Sequence, residues 1–94
     1  MVVDDLHARV MNAKEEIRQV AGIDSDFRLC WENGKATVEL RLYYESGTKQ
    51  IIRASIKRLS DCVIVLERFM GVFYYTYRTL DRNDEIFIEF AELT

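Results

Sequence analysis

The pair Asn33-Gly34 separates two stretches in which apolar and polar residues alternate. Such a pair is a strong signal for a β-hairpin, because both residues tolerate the positive φ angles that a two-residue turn requires. The turn sets the register: it places Leu29 opposite Val38 and gives the hairpin one apolar and one polar face. The predicted strands are residues 27–32 and 36–44.

The next turn predicts a third strand, and its length can be chosen by the same test. A two-residue loop would place Leu40 opposite Arg53, which spoils the apolar face. A three-residue loop, with Gly47 in the left-handed conformation, places Leu40 opposite Ile52 and keeps that face apolar. We therefore predict a strand over residues 48–58.

The first part of the chain has the period of a helix. Asp4 or Asp5 can cap such a helix, and Gly22 is suited to ending it. The polar residues between the apolar positions predict that only one side of the helix is covered. We predict a helix over residues 4–21, and its apolar positions are Leu6, Val10, Ala13, Ile17 and Val20.

Residues 62–70 allow two interpretations. Their spacing suits a helix that is capped by Ser60 and followed by Gly71. The β-branched run from Cys62 to Val65 favours a strand instead, and we prefer the strand. The remaining residues then form a last hairpin around 82–84. The predicted strands are residues 62–69 (or a helix), 72–80 and 85–92.

These elements predict an α+β fold in a single domain, residues 1–94. An N-terminal amphipathic helix packs on a five- or six-stranded antiparallel β-meander. Within the aromatic run, alternation along a strand predicts that Phe73, Tyr75 and Tyr77 face the core and Tyr74 faces outward.

The sequence offers little support for catalysis. His7 is the only histidine, and Cys30 and Cys62 lie far apart in no metal-binding or redox motif. The glycine-rich motifs that hold phosphates are absent. We predict no enzyme activity, no catalytic residues, no metal and no cofactor, and we expect both thiols to be reduced.

The composition indicates an ordinary globular protein with a net charge of −3. No apolar run approaches the length of about 20 residues that a membrane-spanning helix needs. The N-terminus carries acids where a signal peptide carries positive charge. We therefore expect a cytoplasmic protein that does not contact a membrane.

Nucleic-acid binding is an alternative that we do not prefer. Residues 41–58 hold five basic residues and one acid, so the middle strands could attract phosphate. If residues 62–70 are a helix, the order helix, three strands, helix resembles that of a double-stranded-RNA-binding domain. Where that family carries a basic cluster, at the start of its second helix, this chain has Ser60-Asp61-Cys62.

Binding to protein is the function that we prefer. In the predicted register, several apolar side chains lie on the sheet face away from the helix, and a contiguous patch of this kind marks an interface. We expect a small interaction module, such as an adaptor, inhibitor or immunity-type protein, that forms a homodimer or binds another protein. The basic third strand and the acidic last strand are candidates for pairing with another chain at an edge of the sheet. The predicted interface residues are Ile51, Val63, Val65, Phe87, Tyr74 and Tyr43.

A carrier for a small apolar ligand is the other alternative. A curved sheet that wraps around one helix can leave an apolar cavity between them. Its predicted lining residues are Trp31, Tyr75, Tyr77 and Phe90.

Overall fold

A computed structural model describes residues 3–33, 35–45, 47–78 and 84–88. The fold is α+β: two helices accompany a sheet with the strand order β1-β2-β3-β4. β1, β2 and β3 are antiparallel neighbours, and β4 lies parallel to β3. The elements are α1 (Val3–Ala21), β1 (Asp24–Glu32), β2 (Lys35–Tyr43), β3 (Lys49–Ile56), a 3-10 turn (Leu59–Asp61), α2 (Cys62–Thr76) and β4 (Asp84–Ile88).

The first hairpin has the register that its turn predicts. Leu29 lies opposite Val38, and Phe27 lies opposite Leu40. Asn33 has a φ of 53°, the left-handed value that a two-residue hairpin turn requires. β1 begins at Asp24, earlier than the predicted residue 27, because the alternation of polar Asp24 and Asp26 with buried Ser25 extends the strand backwards.

The second hairpin also has its predicted register, with Leu40 opposite Ile52. Gly47 has a φ of 89°, and its N–H donates to the carbonyl oxygen of Tyr44 at 3.0 Å. This is the three-residue loop with a left-handed glycine that keeps both apolar faces on one side of the sheet.

The preferred strand over residues 62–69 is wrong, because α2 runs over Cys62–Thr76. The buried side chains of α2 are Cys62, Val65, Leu66, Phe69 and Phe73, which recur at helical spacing. β-Branched residues disfavour a helix by less than about 1 kcal/mol each. Burying one large apolar side chain contributes about 1.5–3 kcal/mol, so the burial of this face outweighs the local preference.

The predicted strand over residues 72–80 is wrong where the structure describes it, since residues 72–76 continue α2. One residue is about 100° of rotation along a helix, so side chains two apart do not share a face. Phe73 is buried and stacks on Tyr77 with ring centroids 5.0 Å apart. Tyr75, predicted to face the core with them, is 88% exposed.

The five- or six-stranded meander is also wrong, since the described sheet has four strands. The last strand pairs with β3, so that Ile86 lies opposite Ile52, and not with residues 72–80. Parallel strands cannot be joined by a tight turn and need a crossover, which α2 begins after β3. Residues 89–92 of the predicted last strand lie outside the described residues.

Both helices cover the same face of the sheet. α1 contacts β1 and α2, and α2 contacts β2 and β3. Ile17, Phe69 and Phe73 are fully buried beneath the helices, against the inward side chains of the strands. Within the described residues, neither helix is long and apolar enough to cross a membrane.

A buried polar chain attaches the end of α2 to β3. Gln50 is fully buried and donates from Nε2 to the Thr76 hydroxyl at 2.9 Å. Thr76 donates in turn to the carbonyl oxygen of Val72 at 2.8 Å. Tyr44 donates from its hydroxyl to Oε1 of Gln50 at 3.4 Å. Both polar ends of Gln50 therefore have partners, as a buried amide requires.

Two adjacent residues of α2 test this architecture. Val65 is fully buried and Ile64 is 41% exposed. We expect Val65→Glu to lower the unfolding free energy by at least about 3 kcal/mol, because it buries a carboxylate without a partner. Ile64→Glu should change it by less than about 1 kcal/mol. Urea unfolding followed by circular dichroism measures both, and the opposite order of effects would restore the strand interpretation.

Candidate interaction surfaces

The outer face, as we call the sheet face away from the helices, does not hold the predicted interface as one patch. Ile51 and Tyr43 are the two predicted residues whose described side chains lie on it, and Ile51 is buried. Phe87 lies opposite Arg53 in the sheet, and its side chain is outside the described part of the chain.

The other predicted interface residues lie on α2, on the opposite side of the sheet. Val65 belongs to the core, Val63 is half-buried and Tyr74 is exposed. The premise that all six share the outer face is therefore wrong. The reason is the helical period of residues 62–76, which replaces the alternation on which that prediction depended.

The centre of the outer face is ionic. Glu39 is only 8% exposed and accepts hydrogen bonds from Nε of Arg53 at 2.7 Å and Nε of Arg41 at 3.0 Å. Burial raises the pKa of Glu39, but the hydrogen bonds and positive charges of the two arginines outweigh it, so the pKa lies below its ordinary value. The ionised Glu39 carboxylate is therefore paired with Arg41 and Arg53, two of the basic residues of the middle strands.

The nucleophilic and metal-binding side chains that the structure describes do not assemble into a site. His7 is exposed on α1, Cys30 is exposed on β1 and Cys62 is buried, and both thiols are free. Burial, and then the charge of Asp61, raises the pKa of the Cys62 thiol and so disfavours the reactive thiolate. Across residues 5–78, where side chains are described with short gaps, no three His, Cys, Asp or Glu residues cluster to hold a metal ion.

The predicted carrier cavity between helix and sheet is not formed by its predicted lining. Trp31 is 65% exposed at one end of the sheet, and Tyr75 is exposed on α2. Tyr77 is half-buried against Phe73, and Phe90 lies outside the described residues. A groove of about 370 Å³ lies instead between the two helices. Its lining residues are Arg9, Asn12, Ala13, Glu16, Val63, Leu66, Glu67 and Met70.

β1 forms an edge of the described sheet, and we call its unpaired side the β1 edge. β2 is its only neighbouring strand among the described elements. The N–H of Tyr44 donates to Thr48 at 2.9 Å, so Tyr44 directs its backbone groups toward β3. Successive residues of a strand direct these groups to opposite sides, so Tyr43 and every second residue before it direct theirs toward β1.

The same alternation determines which groups of β1 have no partner strand. Every second residue of β1, from Asp24 to Glu32, lies opposite one of these β2 residues. The backbone groups of these β1 residues therefore form hydrogen bonds with β2. The residues between them direct their N–H and C=O groups away from the sheet. The β1 edge therefore presents the backbone groups of Ser25, Phe27, Leu29 and Trp31.

This edge lacks several of the features that commonly prevent an edge strand from pairing with another strand. β1 is nine residues long, and its register with β2 is continuous, with no bulge. It contains no proline and no lysine, which commonly protect exposed edges. Its side chains add apolar surface on one face, where Phe27 and Leu29 are half-buried and Trp31 is exposed.

Sequence reasoning proposed the third and the last strands as candidates for pairing with another chain, and it missed β1. The choice of the third strand is wrong, because β3 lies between β2 and β4. The predicted strand order did indicate this edge, because the first strand of a meander lies at an edge of the sheet unless a later strand pairs with its free side. That condition depends on where β4 pairs, which local patterns do not reveal.

Comparisons with known proteins give no relative from which a function could be transferred. No protein-family model, no curated protein and no solved structure matches the chain.

The ionic centre of the outer face predicts a pH-dependent stability. Because the pKa of Glu39 is lower in the folded chain, its stabilising contribution is complete above its ordinary value of 4.5 and is lost as the pH falls through the lowered pKa. We expect Glu39→Gln to lower the unfolding free energy by about 1–3 kcal/mol at neutral pH, since it leaves two arginines side by side.

Chemical unfolding at neutral and at acid pH measures this difference. The difference between the wild-type protein and Glu39→Gln should shrink as the pH falls below that of an ordinary carboxyl group. Glu15→Gln, an exposed position on α1, is the matched control and should show a small difference at both pH values. A Glu39→Gln effect that stays constant with pH would contradict the assignment.

Proposed function

We propose that this chain is a small, non-catalytic protein-interaction module of the adaptor, inhibitor or immunity type, and that it binds by strand addition at the β1 edge. One observation carries the proposal. In the regular nine-residue strand β1, the backbone N–H and C=O groups that are directed away from β2 belong to Ser25, Phe27, Leu29 and Trp31. We place the module in the cytoplasm, where an exposed free thiol such as Cys30 stays reduced.

Strand addition suits the chemistry of this edge. In this binding mode the main chain supplies affinity, and alternate side chains supply specificity. Each hydrogen bond contributes about 0.5–1.5 kcal/mol net, so several in a row support a specific complex. Phe27, Leu29 and Trp31 would contact a partner's apolar side chains, while Asp26 and Arg28 on the outer face would select by charge.

The two alternative functions have weaker support. Nucleic-acid binding would use the basic residues of the middle strands, but Arg41 and Arg53 are paired with Glu39, and Arg58 is paired with Asp61. A carrier would use the groove between the helices. That groove is lined by Arg9, Glu16 and Glu67 as well as by apolar side chains, which does not favour an apolar ligand.

Proline substitution at adjacent residues tests the use of the β1 edge. Leu29 directs its N–H outward, whereas Cys30 directs its N–H toward Thr37 of β2. Leu29→Pro should therefore remove a donor from the edge and leave the sheet folded, while Cys30→Pro should break a sheet hydrogen bond and destabilise the chain. Leu29→Ala is the matched control for the lost side chain.

The readout is binding of peptides selected from a displayed library of nine-residue segments on the wild-type protein. We expect Leu29→Ala to weaken binding of the selected peptides only by the loss of its side-chain contact. The peptides should bind Leu29→Pro at least about tenfold more weakly than Leu29→Ala, a difference of about 1.4 kcal/mol. Equal binding to Leu29→Pro, with the fold confirmed by circular dichroism, would show that the interaction uses another surface.

A further inference from the structure

We propose that the partner at the β1 edge is a second copy of this chain. In this dimer the two β1 strands pair antiparallel across a twofold axis that passes beside Phe27. The inference rests on the proposed strand-addition function, and it adds the identity of the partner and the register. The two four-stranded sheets would become one continuous sheet.

The outward backbone groups restrict the possible registers. In a twofold antiparallel pair, Ser25, Phe27, Leu29 and Trp31 of one copy must lie opposite members of the same set in the other copy, because only these residues direct their groups outward. Four registers meet this condition and keep most of β1 paired. In each of them the twofold axis passes beside one residue, which we call the centre of the register: Asp26, Phe27, Arg28 or Leu29.

Charge then selects one of these registers. A centre at Asp26 places Asp26 opposite itself, and a centre at Arg28 places Arg28 opposite itself. A centre at Leu29 places Asp26 opposite Glu32. Like charges directly opposite each other on neighbouring strands are unfavourable. Only the centre at Phe27 avoids such pairs, and it places Asp26 opposite Arg28 twice.

The charged side chains of that pair are available in the single copy. Arg28 is exposed and forms no ion pair with any residue of the described part. It lies opposite Glu39 in the sheet, but the oxygens of Glu39 accept hydrogen bonds from Arg41 and Arg53. Asp26 accepts a hydrogen bond from the Tyr43 hydroxyl at 3.2 Å. Its cross-strand neighbour Arg41 donates to Glu39.

The same register brings apolar side chains together on the other face of the joined sheet. Phe27 of each copy would lie beside Phe27 of the other, and Leu29 would lie opposite Ser25. Trp31, which is exposed in the single copy, would lie opposite Ile23 of the second copy. An interface made by one strand pair is at the small end of the range, below about 1,200 Å², so the dimer should exchange with monomer.

Complementary charge reversal tests the register. Asp26→Arg alone and Arg28→Asp alone each place like charges opposite each other twice in the homodimer. Mixing the two variants places Arg opposite Asp at both positions of a heterodimer. We expect each variant alone to dimerise at least about tenfold more weakly than the wild-type protein, and the equimolar mixture to recover dimer.

Light scattering behind a sizing column over a range of protein concentrations measures the dimer. The emission of Trp31, the only tryptophan, should shift to shorter wavelength as the dimer forms. The control mixture is Lys14→Asp with Glu15→Arg, which changes the net charge of each chain by the same amounts on α1. Recovery of dimer in the control mixture would overturn the register. The absence of such recovery in the mixture of Asp26→Arg and Arg28→Asp would also overturn it.

A disulfide trap keeps the inference testable if a charge variant does not fold. In a Cys30→Ser background, we expect Asp26→Cys and Arg28→Cys to form a disulfide-linked dimer when mixed and oxidised. Positions at a non-hydrogen-bonded antiparallel pair lie about 4.5 Å apart between Cα atoms, a distance that a disulfide accepts. Absence of cross-linked dimer would count against the register.

The outcomes separate this inference from the function on which it rests. A wild-type chain that stays monomeric at its highest soluble concentration overturns the homodimer. If such a chain still binds library peptides that Leu29→Pro loses, the β1 edge serves another protein and the proposed function stands. If the wild-type chain binds neither a second copy of itself nor library peptides at the β1 edge, both proposals fail.

Discussion

The burial of one apolar face of α2 against the sheet is the interaction on which the rest of this structure depends. Val65, Phe69 and Phe73 are fully buried there, and the face outweighs the strand preference of the β-branched residues beside them. As a helix, residues 62–76 form part of a crossover, so the chain returns to the sheet parallel to β3. β3 becomes an inner strand, and β1 stays at an edge.

The position of α2 also changes the outer face of the sheet. A strand over residues 62–69 would have added apolar side chains to that face and made it an interface patch. Without that strand, the centre of the outer face is Glu39 with Arg41 and Arg53, an ionic group whose members satisfy one another. Within the described residues, the row of outward backbone groups on β1 has no partner strand, and this leads to strand addition as the proposed mode of binding.

Much of the fold was predictable where interactions are local. Asn33-Gly34 and Gly47 specify both hairpin registers, because turn geometry and the apolar pattern act over a few residues and agree. The interface residues were not predictable in the same way. Val63, Val65 and Tyr74 were assigned from strand alternation, and their true positions follow from packing between elements that are distant in sequence. The pairing of Glu39 with Arg53 follows from the register of the second hairpin, which places these two residues opposite each other.

The sequence by itself determined the amphipathic first helix, the three antiparallel strands and the side of each strand that faces the core. These features depend on the period of apolar residues and on backbone conformations that glycine and asparagine favour. Only the tertiary structure decided that residues 62–76 form a helix, that β4 joins β3 in parallel and that β1 lies at an edge of the described sheet. Those choices depend on which apolar surfaces cover one another, and a local pattern that suits both a strand and a helix does not contain that information.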